Sequence, residues 1–228
     1  MRLILFTFLI FCSLNSHAQP ANLSGKSNSE ISQYYINYLR KGVLLVRLQT
    51  KSRKIAILER AGNLAAADKV RNDQIKTNKS IIKAFKDGFS FCPVYFFYSH
   101  DSKHVKSYQL DSVDFLNEYL EIDGSIQPPN QFLTAEFGLI QEDTAQNFEG
   151  YSRDYKKDSI KGLYPNKQYA SGTNMSFGAL IIKSDQFIQL PRPFPYYARN
   201  LATLPILRRS HYKVVTVMNN KLFAFARL

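Results

Sequence analysis

Cysteine, acidic residues and long apolar runs are all scarce in this chain. Two Cys in 228 residues are too few for a disulfide scaffold. No apolar stretch reaches the roughly 20 residues that span a bilayer, which excludes a multi-span membrane protein. Nine Pro and ten Gly exclude a collagen-like repeat. The loops G-x-x-x-x-G-K-[ST], G-x-G-x-x-G and G-x-S-x-G are absent, so neither an ordinary nucleotide-binding loop nor a hydrolase nucleophile elbow is supported, and no cofactor is expected. What is present is ordinary for a folded domain, with 45% hydrophobic and 21% charged residues. That composition excludes disorder over the whole length. The charge balance is lopsided, with 30 Lys and Arg against 18 Asp and Glu and a net of +12.

The first 18 residues read as a secretory signal peptide. Met1-Arg2 is a short positive region, Leu3 to Phe11 is apolar, and Ser16-His17-Ala18 offers small residues at −3 and −1 of a cleavage site. The apolar run is too short for a membrane span. Cys12 is a poor lipoprotein cysteine because bulky Phe11 precedes it. Cleavage after Ala18 removes Arg2 alone among the charges and takes +12 to +11. Cys92 is then the one remaining cysteine, set in the apolar run Phe91 to Phe97. It is expected to be an inert core thiol.

The rest reads as one α/β domain with a mixed sheet, spanning 29–228 after a loose arm at 19–28. Ser29 is a candidate cap for a helix to about Arg40, with Ile31, Tyr34, Tyr35, Tyr38 and Leu39 on one stripe and Gly42 beyond its end. Val43 to Leu48 and Val94 to Tyr98 are near-continuous apolar runs, as suits strands covered on both faces. Lys51 to Gly88 is helical in composition, broken at Gly62-Asn63. The second piece puts Leu64, Ala67, Val70, Ile75, Ile82 and Phe85 against Lys69, Arg71, Lys76, Lys79, Lys83 and Lys86. A strand, a long basic helix and a strand predict a right-handed βαβ unit with parallel strands. Its core should hold Leu44, Val46, Leu48, Ile82, Phe85, Val94, Phe96 and Phe97.

Later elements are read more locally. Asp111 to Leu120 is a short helix. Phe132 to Ile140 alternates like a half-buried strand, with Thr134, Glu136 and Gly138 on the polar face. Gly178 to Lys183 and Phe187 to Leu190 form a hairpin around Ser184-Asp185-Gln186. Pro191 to Pro195 is extended and outside any central strand. Tyr196 to Arg209 is a helix weakened by Pro205. Val214 to Met218, a turn at Asn219-Asn220 and Leu222 to Ala226 form a terminal hairpin.

Phe91-Cys92-Pro93-Val94-Tyr95-Phe96-Phe97-Tyr98-Ser99 and Ala135-Glu136-Phe137-Gly138, with Gly42 to Leu48 and the basic helix after it, resemble small exported proteins of Bacteroidota that carry no assigned function. The likeness covers about residues 42–140, and the signal peptide ending at Ala18-Gln19 is similar to those of that phylum. The resemblance implies the periplasm as compartment and carries no catalytic residues across.

Three groups of residues could carry chemistry. His100-Asp101-Ser102-Lys103-His104 follows the second apolar strand, where open α/β sheets place their sites. Two His four apart with an Asp could hold a divalent ion on a helix. The Glu of H-E-x-x-H is missing and Lys103 repels a cation, so a polar turn with no metal is the expectation. Glu136, an acid within an apolar strand, is a candidate general acid, and Asp101 with Glu136 a candidate carboxylate pair. The stretch 141–175 is long, polar and glycine-bearing. It interleaves Tyr151, Tyr155, Tyr164 and Tyr169 with Arg153, Lys156, Lys157, Lys161 and Lys167, residues suited to stacking and to anion binding. Asn22, Asn78 and Asn174 begin N-x-S triplets, which carry little weight if the source is bacterial, as the resemblance implies.

The charge points first to a non-catalytic envelope protein that binds an anionic glycan, a lipid head group or another envelope protein. A periplasmic hydrolase built on Asp101 and Glu136 is the alternative. Export and the lack of a binding motif argue against nucleic acid. Mass spectrometry of the protein from its native envelope should find Gln19 at the N-terminus; an intact Met1 would remove the export reading.

Overall fold

The computed structural model describes residues 23, 25–140, 178–201 and 208–227. The first helix, α1 (Asn28–Lys41), starts two residues earlier than Ser29 would place it. Ser27 is the cap. Its Oγ accepts from Glu30 N, and the Glu30 carboxylate accepts from Ser27 N at 2.8 Å. This reciprocal pair satisfies two otherwise orphaned donors. The buried stripe is Ser32, Ile36 and Leu39 rather than the tyrosines. Ser32 tolerates burial because its Oγ donates to Asn28 O and accepts from Phe194 N at 3.0 Å. Gly42 ends the helix, but not through a left-handed turn. Its backbone passes so close to Gln131 that a Cβ would lie 2.2 Å from that carbonyl oxygen.

Strand β1 (Val43–Leu48) follows, then α2 (Ser52–Arg60) and the 25-residue α3 (Leu64–Gly88). Gly62, at φ +73°, makes the break between the two helices, and Asn63 caps α3 by accepting from Ala66 N. The chain returns as β2 (Val94–Tyr98), parallel to β1 with Val46 opposite Phe96. The expected strand–helix–strand unit is therefore present. Beyond it come a 3-10 turn at Ser99–Asp101, the short α4 (Ser102–Lys106), a second 3-10 turn at Leu110–Ser112 and the two-residue β3 (Phe115–Leu116). A helix over 111–120 does not form. Leu110, Val113, Phe115 and Leu116 are all buried, and an extended edge strand with tight turns buries them where a single helix face would not.

Strand β4 (Phe132–Leu139) pairs parallel with β1 on the side away from β2, and β5 (Gly178–Lys183) and β6 (Tyr197–Arg199) add antiparallel strands. The sheet order is β3-β2-β1-β4-β5-β6. The protein is thus an α/β fold with a mixed six-stranded open sheet. The three parallel strands lie together with β1 at their centre. Their residues divide with period two between two clusters. Leu44, Val46 and Leu48 pack with Phe96 and with Phe85 of α3, whereas Val43, Leu45, Phe97 and Phe132 pack with Val105, Val113 and Phe115. Of the eight core residues named from sequence, only Val94 escapes full burial. Because both faces are covered, β4 is not half-buried. Thr134 and Glu136 are interior, and Thr134 Oγ1 donates to Ser184 O at 2.8 Å.

The late part of the chain departs most from local propensity. The turn at Ser184 to Gln186 forms, but the return leg makes one bridge, Lys183 to Gln189, and the strand beside β5 on the side away from β4 is β6. Tyr196 to Arg199 is therefore the approach to a strand and the strand itself, not helix. The segment Pro191 to Pro195 lies outside the central strands as expected, yet it turns, with Phe194 N donating to Pro191 O. The terminal hairpin is replaced by a helix, α5 (His211–Phe225), capped by Ser210. Its buried residues Val214, Val215, Met218, Asn219 and Leu222 follow a helical stripe. They pack against α3, β5 and β6. The β-branched run lost to this packing, since propensity is a weak prior against burial of a whole face.

Asn219, placed in a turn by its sequence neighbours, instead lies in α5 and accepts from Ser90 N and Phe91 N at 2.9 and 3.1 Å. It satisfies two donors of the α3–β2 connection. Asn219→Leu should cost about 1–3 kcal/mol in urea denaturation, because those N–H groups lose their acceptor. Asn219→Asp, which keeps the oxygen, should cost less. A leucine variant as stable as the parent would show that water serves those donors.

Candidate functional site

The carboxyl ends of β1 and β2 and the neighbouring stretches of β4 and β5 gather the ionisable side chains of the interior. Arg47 and Glu136 are paired across β1 and β4, and Lys183 sits opposite Thr134 on β5. The pleat therefore puts all three on one face. Arg47 Nη1 donates to Glu136 Oε2 at 2.7 Å, and Lys183 Nζ to Oε1 at 2.6 Å. Glu136 and Lys183 side chains are 11% and 12% exposed and Arg47 27%. Burial alone would raise the Glu136 carboxyl, but Lys183 and Arg47 outweigh it and hold the group below the usual carboxylate range. Phe187, at φ +60°, sets its ring under the guanidinium at 5.6 Å and the Lys106 ammonium at 5.4 Å. The trio is a structural ion cluster. Its two cations favour the charged form of Glu136, opposite to what a general acid needs.

The two candidate carboxylates, Asp101 and Glu136, engage different groups. Asp101 follows β2, Glu136 lies in β4, and β1 runs between them. Adjacent strands are about 4.8 Å apart, so these two strands are roughly 9.6 Å apart. Asp101 instead meets His100, whose Nε2 is 3.5 Å from Asp101 Oδ2. Asp114, which the sequence reading passed over, joins them: the ligating atoms of His100, Asp101 and Asp114 all lie within 4.8 Å of one another. Nothing local could have found Asp114, which is brought in by the antiparallel pairing of Phe97 with Phe115. His104 lies apart in α4, with Nδ1 3.2 Å from Gln109 Oε1. His211 is at the start of α5, 2.9 Å from Ser80 Oγ and edge-on to Phe137; burial first, then Arg208, lowers its pKa. Burial pushes the Cys92 thiol up to about 12, so it carries no thiolate at neutral pH.

A second region stands out by charge. From 51 to 87, ten Lys and Arg stand against four Asp and Glu, a net of +6 in a chain of +12. Lys69, Lys76, Lys79, Lys83 and Lys86 recur at three-, four- and seven-residue spacing, which aligns them along one side of α3; all five are exposed. Arg71 ties the two helices together, reaching Glu59 of α2 at 2.6 Å and also Asp68. Lys83 pairs with Asp87 and Lys86 with Glu118. Lys69, Lys76 and Lys79 have no carboxylate partner among the described residues. No residue of α2 is buried. Ile57, Leu64 and Ile75 are 56%, 62% and 40% exposed among these cations. Asn78, the middle glycosylation triplet, is interior and donates to Gln49 O.

The candidate binding residues Tyr151, Arg153, Tyr155, Lys156, Lys157, Tyr164, Lys167 and Tyr169 lie outside the described residues. Among the described residues no helix is long and apolar enough to cross a membrane. No family model matches the chain, and no curated protein or solved structure matches it either.

Glu136→Gln would leave Arg47 and Lys183 facing each other without their anion. It should destabilise the fold by about 2–4 kcal/mol at pH 7. The wild-type stabilisation is present above the unfolded carboxylate pKa, about 4.3, and is lost as pH falls through the lowered folded value. The gap between variant and parent melting temperatures should therefore narrow as the pH falls below about 4. A gap that does not change with pH would assign the loss to packing.

Proposed function

We propose that this protein is exported to the periplasm or beyond and associates with an anionic lipid surface through the helical hairpin α2–α3. The observation that carries the reading is the concentration of charge. Half of the net +12 lies in residues 51–87, on two helices that also expose Ile57, Leu64 and Ile75. Cations set among exposed apolar side chains suit the boundary between phosphate head groups and acyl chains, where each Lys or Arg near the surface contributes about 1 kcal/mol. An acidic glycan would use the cations and leave the apolar residues without a role. The signal-like first 18 residues and the resemblance to exported Bacteroidota proteins support an envelope setting.

The role is one of binding: Arg47 and Lys183 hold Glu136 towards its charged form, opposite to the protonated acid that a hydrolase would use there. Vesicles of phosphatidylcholine with and without phosphatidylglycerol provide the test. The mature chain should sediment with the anionic vesicles and not with the neutral ones, and raised salt should weaken binding, because exposed charges are screened over about 8 Å at physiological ionic strength. Lys76→Glu with Lys79→Glu should weaken it by at least about tenfold. Ile57→Ser should weaken it without changing the salt dependence. Equal binding to neutral vesicles, or indifference to the charge reversal, would refute the reading. Binding to a soluble acidic polysaccharide but not to vesicles would transfer the surface to a glycan.

A further inference from the structure

We infer that His100, Asp101 and Asp114 form a binding site for one divalent transition-metal ion of the Zn²⁺ or Mn²⁺ kind, separate from the basic hairpin. Three potential ligands, one imidazole nitrogen and two carboxylate oxygens, converge within 4.8 Å. The second and independent observation is the state of Asp101. The residue is 8% exposed, its Oδ2 is shut off from solvent, and that oxygen accepts no hydrogen bond. The His100 Nε2 lies 3.5 Å from it. A carboxylate in that position has lost water and gained nothing equivalent, which is costly unless a cation compensates it.

The geometry suits such a cation. Two ligands held about 2.0–2.1 Å from one ion at a tetrahedral angle are about 3.4 Å apart, close to the 3.5 Å between His100 Nε2 and Asp101 Oδ2. Asp114 and His100 are exposed, so rotation of their side chains can close the remaining gap, and the outer positions stay open to water. The frame beneath is rigid. Phe97 pairs with Phe115, which sets Asp114 at the mouth of the β2–β3 ladder, just where the chain turns through Ser99–Asp101. Ser102 Oγ donates to Ser99 O at 2.6 Å and pins that turn. The Tyr98 ring lies 5.7 Å from the His100 ring and restrains the imidazole. A mixed nitrogen and oxygen set favours Zn²⁺ or Mn²⁺ over Mg²⁺ and Ca²⁺, which prefer all-oxygen shells. The sequence had suggested His104 as the second imidazole. The structure substitutes Asp114, and the side chain of Lys103, expected to repel an ion, is exposed on α4.

The experiment is calorimetric titration of the tag-free, metal-stripped chain with Zn²⁺ and with Mn²⁺, alongside thermal melts. The expected result is saturable binding that raises the melting temperature. Asp101→Asn and Asp114→Asn should each lower the affinity by at least about tenfold while circular dichroism stays that of the parent. His104→Gln should bind as the parent does, and Mg²⁺ more weakly than Zn²⁺. Because Asp101 Oδ2 accepts no hydrogen bond in the metal-free protein, the metal-free Asp101→Asn variant should melt no lower than the metal-free parent. Binding unchanged in both Asp variants would overturn the site, as would no saturable binding up to about 1 mM of either ion. The vesicle assay is independent of this result, since the metal ligands and the lysine stripe share no residue.

Discussion

Strand β1 is the constraint on which the rest of the fold depends. It pairs parallel with β2 on one side and with β4 on the other, so it can be stable only if both faces are covered. Every residue of Val43–Leu48 except Arg47 is buried. The crossover through α2 and α3 is the length of chain that parallel pairing with β2 requires. Helices α3 and α5 pack together, and α5 reaches β5 and β6. The segment from Val105 to Phe115 covers the cluster containing Val43, Leu45 and Phe97.

Two covered faces leave little room for polar groups, and several of those present inside are held by specific contacts. Thr134 reaches a carbonyl, Asn78 reaches Gln49, Asn219 caps two amides, and Glu136 is held by two cations. Each of these ties together segments far apart in sequence, so each serves specificity of register as much as stability. Asp101 Oδ2, however, has no hydrogen-bond partner, and neither do Arg47 Nε, Gln74 Oε1 and Gln189 Oε1. Of these four, only Asp101 is a carboxylate, and it lies beside two further potential ligands, His100 and Asp114.

The two proposed sites would follow different physics. At the mouth of β2 and β3, position is everything, because ligands must converge to within a few tenths of an ångström. On α2 and α3 the requirement is looser: charge density and exposure are enough for attraction to an anionic surface. A helix pair that buries little of α2 can therefore vary in detail and keep that capacity.

Much of the first half of the chain was legible without coordinates, since its signals are local. Apolar runs at 43–48 and 94–98, the break at Gly62-Asn63 and the helical spacing of lysines after it are set by period, backbone freedom and capping within a few residues. Parallel pairing of β1 and β2 followed from the helix between them. The second half was misread where burial overruled propensity. Val214 to Met218 favours a strand by side-chain shape, yet as a helix it packs Val214, Val215, Met218 and Leu222 against the sheet and α3. Glu136 looked solvent-facing because alternation gives only relative faces and cannot say that both are covered. The meeting of residues 47, 136 and 183, and of 100, 101 and 114, depends on strand order and register. Those arise from the summed packing of the whole sheet, and no window of sequence contains them.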